Sequence, residues 1–272
     1  MKYGICNELI SDRDFGKACE LIARNGFTGV EIAPFTLFAD PLDISFSLIR
    51  NIGKTIRRAG LECIGFHWIL KSPPGMLLLD GNSEALYSTW KRIAALSSIC
   101  ADLGGRFLVL GSGKERSYRN ISSEQAKGIF IKELAALALQ LENDGVKLLI
   151  EALPVERTNF INCLQEADEI IQSIKSSAIS SMFDFHNCDD EAFPLPDLID
   201  EYKDIIRHVH LNTLDGRHPK APPTELYSGV FSKLTTINYQ GWVSLEIFNF
   251  DEAPEVVLQE TAAFLRELKV SL

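Results

Sequence analysis

Short apolar runs alternate with longer stretches of helical periodicity from one end of the chain to the other. The runs are KYGICNE (2–8), TGVEIAP (28–34), LECIGFHWI (61–69), RFLVLGS (106–112), VKLLIEAL (146–153), ISSMFDF (179–185), IRHVHLN (206–212) and WVSLEIF (242–248). Several are nearly continuous in apolar character, as strands are when both faces are covered. Between them the apolar positions fall at helical spacing. Over 122–143, Phe130, Leu134, Leu137 and Leu141 make one stripe. Ser122 or Ser123 predicts the N-cap of that helix, and Gly145 stands just past its end. The last segment opens at Pro254 and carries its stripe on Leu258, Ala262 and Leu265.

Eight strand candidates, each followed by a helix candidate, predict an α/β protein built as a single (β/α)8 TIM barrel. The length of 272 residues agrees with the ~250 residues typical of that barrel. No linker, low-complexity tract or shift in composition divides the chain, so residues 1–272 are expected to form one domain. The alternative is a doubly wound open sheet, which usually places a glycine-rich phosphate turn after its first strand. Here that turn reads CNELISDRD and has no glycine.

Composition narrows the function. Hydrophobic residues make up 46% and charged residues 24%, enough for a large core. The formal net charge of −10 argues against a partner lined with phosphates, so no nucleic acid is expected unless a local basic patch provides for it. No apolar run reaches the ~18 residues of a membrane span, and no membrane association is expected. MKYGICNE lacks the apolar core of a secretory leader. Cys6, Cys19, Cys63, Cys100, Cys163 and Cys188 are scattered without a CxxC pair. A reduced, cytoplasmic enzyme with free thiols is the expectation.

Candidate chemistry lies at the C-terminal strand ends, where barrels hold their active sites. The last four strands end in Glu151 (LLIEALP), Asp184 (MFDFHN), His210 (HVHLN) and Glu246 (SLEIF). Alone, each has an ordinary explanation: a helix cap, an ion pair, or a histidine bonded to backbone. Together they crowd three carboxylates at one end of a barrel, where they repel one another unless a cation sits among them. A divalent metal answers that need. Three carboxylates and one imidazole are a hard, oxygen-rich ligand set suited to Mn2+, Mg2+ or Co2+.

These residues stand in motifs that resemble the xylose isomerase-like barrel superfamily, in its sugar phosphate isomerase/epimerase branch with the tagatose/psicose 3-epimerases. The family's hEPLN strand end is similar to IEALP, and its hDxxH in part to FDFHN. Its HhHhxDxxGR resembles HVHLNTLDGRHP, and its closing GaxxhE resembles GWVSLE. The resemblance covers most of the chain and is most specific over 146–248. It implies Glu151, Asp184, His210 and Glu246 as ligands of one divalent ion, Mn2+ first with Mg2+, Co2+ or Zn2+ as alternatives. It implies Glu151 and Glu246 as the acid/base pair and His186 and Arg217 as contacts to substrate oxygens. Only Phe185 separates Asp184 from His186, so His186 or Asn187 takes the family histidine's role. Arg157, beside Glu156, stands where the family has a glutamate, and HPKAPPTE replaces a glycine-rich stretch. These departures bear on the substrate rather than on the metal.

The expected activity is a divalent-metal-dependent isomerase or epimerase of a small sugar or sugar derivative. One carboxylate removes the proton beside a carbonyl and a metal-stabilised enediolate follows. A dehydratase or lyase on a keto-sugar or inosose shares that first step. A non-catalytic binding barrel and an endonuclease IV-like DNA-repair enzyme are the readings from other classes; the second needs more histidines than the five present. The partner is a small carbohydrate, and a homo-oligomer is compatible with the family. Asn7, Glu31, His67 and Trp68 are expected to line the same mouth and meet substrate. Arg217, with His218 and Lys220 behind it, is a candidate for holding hydroxyls, a carboxylate or a phosphate.

Overall fold

The computed structural model describes residues 1–79, 83–188 and 191–268. The strands are β1 (Lys2–Cys6), β2 (Gly29–Ile32), β3 (Glu62–Phe66), β4 (Phe107–Leu110), β5 (Lys147–Ile150), β6 (Ile179–Asp184), β7 (Ile206–Leu211) and β8 (Trp242–Leu245). All neighbours are parallel, and β8 returns to β1 to close the barrel. Each strand lies inside one of the apolar runs of the sequence. The helices among the described residues are α1 (Phe15–Arg24), α2 (Phe46–Arg58), α3 (Ser83–Leu103), α4 (Gly113–Arg116), α5 (Ser123–Asp144), α6 (Leu164–Ile174), α7 (Leu195–Glu201), α8 (Glu225–Thr236) and α9 (Pro254–Glu267).

The local signals for α5 act as their chemistry requires. The Ser122 hydroxyl accepts from the Gln125 N–H, and the Gln125 side chain accepts from the Ser122 N–H, so two orphan donors of the first turn are satisfied reciprocally. Gly145 ends the helix at φ 67°, a left-handed conformation that suits glycine. Phe130, Leu134, Leu137 and Leu141 are all buried. Replacing Ser122 with alanine is expected to lower the stability of the protein by about 1 kcal/mol, read from urea unfolding, because the capping box loses its hydroxyl.

The alternation within strands divides the core. Leu108, Leu110, Leu148 and Ile150 join the large apolar cluster that includes the helices, whereas Val109, Leu149 and Met182 form a separate small cluster with Phe107. The Phe107 ring lies 5.6 Å from that of His208, which places this second cluster beside the polar residues of the barrel interior. The interior is therefore apolar at Val109, Leu149 and Met182 and carries histidines on β7 and a carboxylate on β2.

Candidate active site

β6 and β7 pair so that Asp184 and His210 are register partners, adjacent and on one face. Glu151 and Glu246 each stand one residue beyond their strands, and their N–H groups continue the ladder to Leu110 and Leu211. These four side chains converge, with one ligand atom from each within 4.8 Å of the others. All are buried: Glu151 7% exposed, Asp184 6%, His210 0% and Glu246 2%.

The neighbours fix how each group points. His210 Nε2–H donates to Glu31 at 3.0 Å, which turns Nδ1 toward the cluster. Nδ1 lies 2.8 Å from Glu246 Oε2 and 3.5 Å from Asp184, yet neither Nδ1 nor Glu246 Oε2 makes an aligned hydrogen bond. The other Glu246 oxygen accepts from the Trp68 indole N–H at 2.8 Å. Asp184 accepts from the backbone N–H groups of His186 (2.6 Å) and Asn187 (3.2 Å) and from the Asn212 amide at 3.3 Å. The Asn187 amide donates to Glu151 at 2.8 Å. Gly111 leaves room for Glu151, since a Cβ there would lie 2.1 Å from its Oε2. The guanidinium of Arg116, fully buried, donates to the backbone carbonyls of Leu110, Glu151 and Ile161 and so ties down the segment that carries Glu151.

Charge is unevenly shared. Burial, then the charges of Glu246 and Asp184, push the Glu151 carboxyl up to about 8. Burial also opposes ionisation of Glu246, but the charge of His210 beside it outweighs that and holds this carboxyl below the usual range. For His210, burial disfavours the imidazolium, and Glu246 and Glu31 outweigh that to hold it well above its ordinary value. Unaligned buried donor and acceptor atoms on one point, with three repelling carboxylates around it, fit a divalent cation. Both Glu151 and His210 hold a proton below their raised pKa and must lose it to ligate. Mn2+ affinity is therefore expected to rise with pH toward about 8. Calorimetry in buffers of different ionisation enthalpy should read protons released on binding. A pH-independent affinity with no proton release goes against this ligand set.

A cavity of about 330 Å³ opens above the cluster, lined by Glu151, Glu246, Trp68, His186, Asn187 and Phe248 and by residues of the loops after β3, β4 and β5. The Trp68 and Phe248 rings stack at 6.4 Å with 20° between their planes, forming an aromatic wall. The ring of His186 packs 4.9 Å from Phe248, and its Nδ1–H donates to the Leu214 carbonyl at 2.7 Å. Of the two candidates for the family histidine's role, Asn187 is the one bonded to Glu151.

Four residues expected at the mouth lie elsewhere. Glu31, 1% exposed, sits beneath His210 and accepts from both His208 (2.7 Å) and His210. As an interior residue of β2 paired with Cys6 it points into the barrel below the cavity. His67 is buried and bonded to Glu8 at 2.8 Å. Asn7 spends its amide on the Ala33 N–H and the Thr36 hydroxyl, holding the turn after β2. Arg217 is 40% exposed on its side chain and paired with Asp251 at 3.0 Å and Asp215 at 3.3 Å. Its backbone closes the Asp-Gly turn on Thr213, which directs the guanidinium away from the cavity and toward Asp251. His218 and Lys220 likewise meet Glu260 and Glu252. Asn212, Glu8 and Arg116 carry no signal in the sequence that points to the site. Asn212 follows HVHL and Glu8 ends the first run, but nothing in their spacing marks them.

Comparison with known proteins bears on the family and the fold. Residues 19–268 match the family described as Xylose isomerase-like TIM barrel. The chain is 22% identical to the 3-dehydro-D-guloside 4-epimerase of Escherichia coli strain K12, over 98% of this chain and 99% of that protein. Among solved structures, it resembles the apo form of the E. coli 3-keto-D-glucoside 4-epimerase with a TM-score of 0.84 and 20% identity, covering 98% of this chain and 99% of the other. It also resembles D-psicose 3-epimerase with D-tagatose from Clostridium cellulolyticum H10, with a TM-score of 0.81 and 18% identity, covering 100% and 99%.

Proposed function

Because the chain belongs to the Xylose isomerase-like TIM barrel family, we propose that it is a metal-dependent epimerase or isomerase of a small keto-sugar. The observation that carries this reading is the pair Glu151 and Glu246, shifted in opposite directions within one buried cluster that opens to the cavity. Relatives named as sugar 3- and 4-epimerases support it. Glu151, Asp184, His210 and Glu246 would hold one divalent cation, Mn2+ in first place, which would draw electron density from a carbonyl and its neighbouring hydroxyl.

The remaining steps fall to the side chains. Glu246, kept ionised by His210 and aimed by the Trp68 N–H, removes the proton from the carbon beside the carbonyl. Glu151, held by the Asn187 amide on the other side of the cluster, returns a proton. Return to the opposite face of the same carbon inverts it, and return to the adjacent carbon isomerises the sugar. Trp68 and Phe248 receive an apolar sugar face, and a cavity of about 330 Å³ has the size of a small-ligand site.

The test is proton exchange. With Mn2+ bound, incubation of ketoses such as D-fructose in D2O is expected to place deuterium on the carbon next to the carbonyl, read by NMR. The position and configuration of the label distinguish epimerisation from isomerisation. Protein that binds about one ion per chain but exchanges no ketose proton with Mn2+, Mg2+, Co2+ or Zn2+ would sink the proposal.

A further inference from the structure

Three cations line the outer part of the cavity: Lys71 after β3, Lys114 in α4, and Arg157 after β5. The chain has 37 acidic and 27 basic residues, so acidic partners are in excess. Elsewhere in the molecule basic groups take them: Arg92 pairs with Asp40, Arg217 with Asp251, and Lys220 with Glu252. Among the described residues, Lys71, Lys114 and Arg157 make no ion pair, although Glu115 and Glu156 line the same cavity.

Their placement is built by the fold. The Lys71 ammonium lies 5.3 Å from the centre of the Trp68 ring, and that indole bonds Glu246. A Cβ on Gly113 would lie 2.6 Å from the Arg157 carbonyl, so the backbones that carry Lys114 and Arg157 touch. Glu151 and Glu246 lie at the buried inner end of the cavity, and Lys71, Lys114 and Arg157 outnumber Glu115 and Glu156 toward its opening. An anionic group is attracted to the cations at the opening, an attraction that salt screens because these side chains are exposed.

We propose that the site takes a keto-sugar bearing an anionic group, a carboxylate or a phosphate, remote from the reacting carbon, and that Lys71, Lys114 and Arg157 receive that group. This rests on the keto-sugar reading of the same cavity and adds a substrate class to it. The anion would fix which end of the sugar points inward and so which carbon meets Glu246.

The experiment uses three ligands that differ only at C6: D-fructose, D-fructuronate and D-fructose 6-phosphate. Each is titrated calorimetrically into the Mn2+-loaded protein at low ionic strength, and again into the K71Q/K114Q/R157Q variant. At least one anion is expected to bind about tenfold more tightly than D-fructose, with the advantage shrinking as salt is added. In the triple variant the ratio of Kd values should fall toward one. The tighter anion identifies carboxylate or phosphate as the group recognised. If the triple variant does not fold, each single substitution is expected to cut the ratio about two- to threefold. No advantage for either anion, no measurable binding of either, or an advantage that survives the substitutions overturns the proposal. A preference for anions without deuterium exchange into any ketose overturns the catalytic reading alone. Exchange of D-fructose without a preference overturns only the anionic substrate.

Discussion

Glutamine in place of Glu246 is expected to slow exchange of the substrate C–H with solvent by roughly 10²–10⁴-fold, the range for removal of a general base. Glutamine keeps the shape of the side chain and an oxygen for the Trp68 N–H. It removes the charge that opposes His210 and the lone pairs that accept a proton. The same change takes away a candidate metal ligand, so two losses must be separated. Mn2+ affinity is expected to weaken, and the exchange rate should therefore be read at saturating Mn2+. A rate that returns to the native value once the metal is saturating would show that Glu246 only binds the ion. A rate that stays low assigns the proton step to it. Trp68→Phe is a useful companion, since it leaves the carboxylate and an aromatic ring in place and removes the hydrogen bond that aims the carboxylate.

Glu31→Gln is expected to have the largest effect on the folded state. Glu31 accepts from two imidazoles at once, His208 through one oxygen and His210 through the other. An amide has one acceptor oxygen, so one imidazole N–H would face an NH2 donor in a place without solvent. Burial opposes a charge on Glu31, but the two histidines outweigh it and hold the carboxyl well below its usual range. Breaking such a buried arrangement costs about 3–5 kcal/mol. Urea unfolding of the metal-free protein reads that loss. Mn2+ affinity should also fall, by about 10- to 100-fold, because Glu31 sets the tautomer and orientation of His210. A variant as stable as the parent, with unchanged Mn2+ affinity, would mean that the histidines are held by packing alone.

Much of the barrel is legible along the chain because its determinants are local. The eight strands fall within eight apolar runs, and the α5 cap falls on Ser122 as the pattern indicates. Glu151, Asp184, His210 and Glu246 can be found by reading strand ends, since a parallel barrel puts those ends together by topology. Residues that act across strands are less legible. Glu31 looked like a mouth residue because it nears a strand end, yet strand stagger sets it one layer down, against His208 and His210. Arg217 sits in a persuasive motif, but a turn of a few residues decides its direction and Asp251, 34 residues on, takes its charge.

The sequence by itself determined the strand–helix alternation, the closed barrel it implies and the four groups gathered at one end. Periodicity and strand position follow from near-neighbour spacing, which is written in residue order. Only the tertiary structure decided which of those groups carry an orienting partner and which way the surrounding charges face. Trp68 reaching Glu246, Arg116 beneath Glu151, and Lys71, Lys114 and Arg157 around one cavity are each contributions from different loops. Such contacts depend on strand register and loop path, which bring distant positions within a few ångströms and leave no periodic trace in the chain.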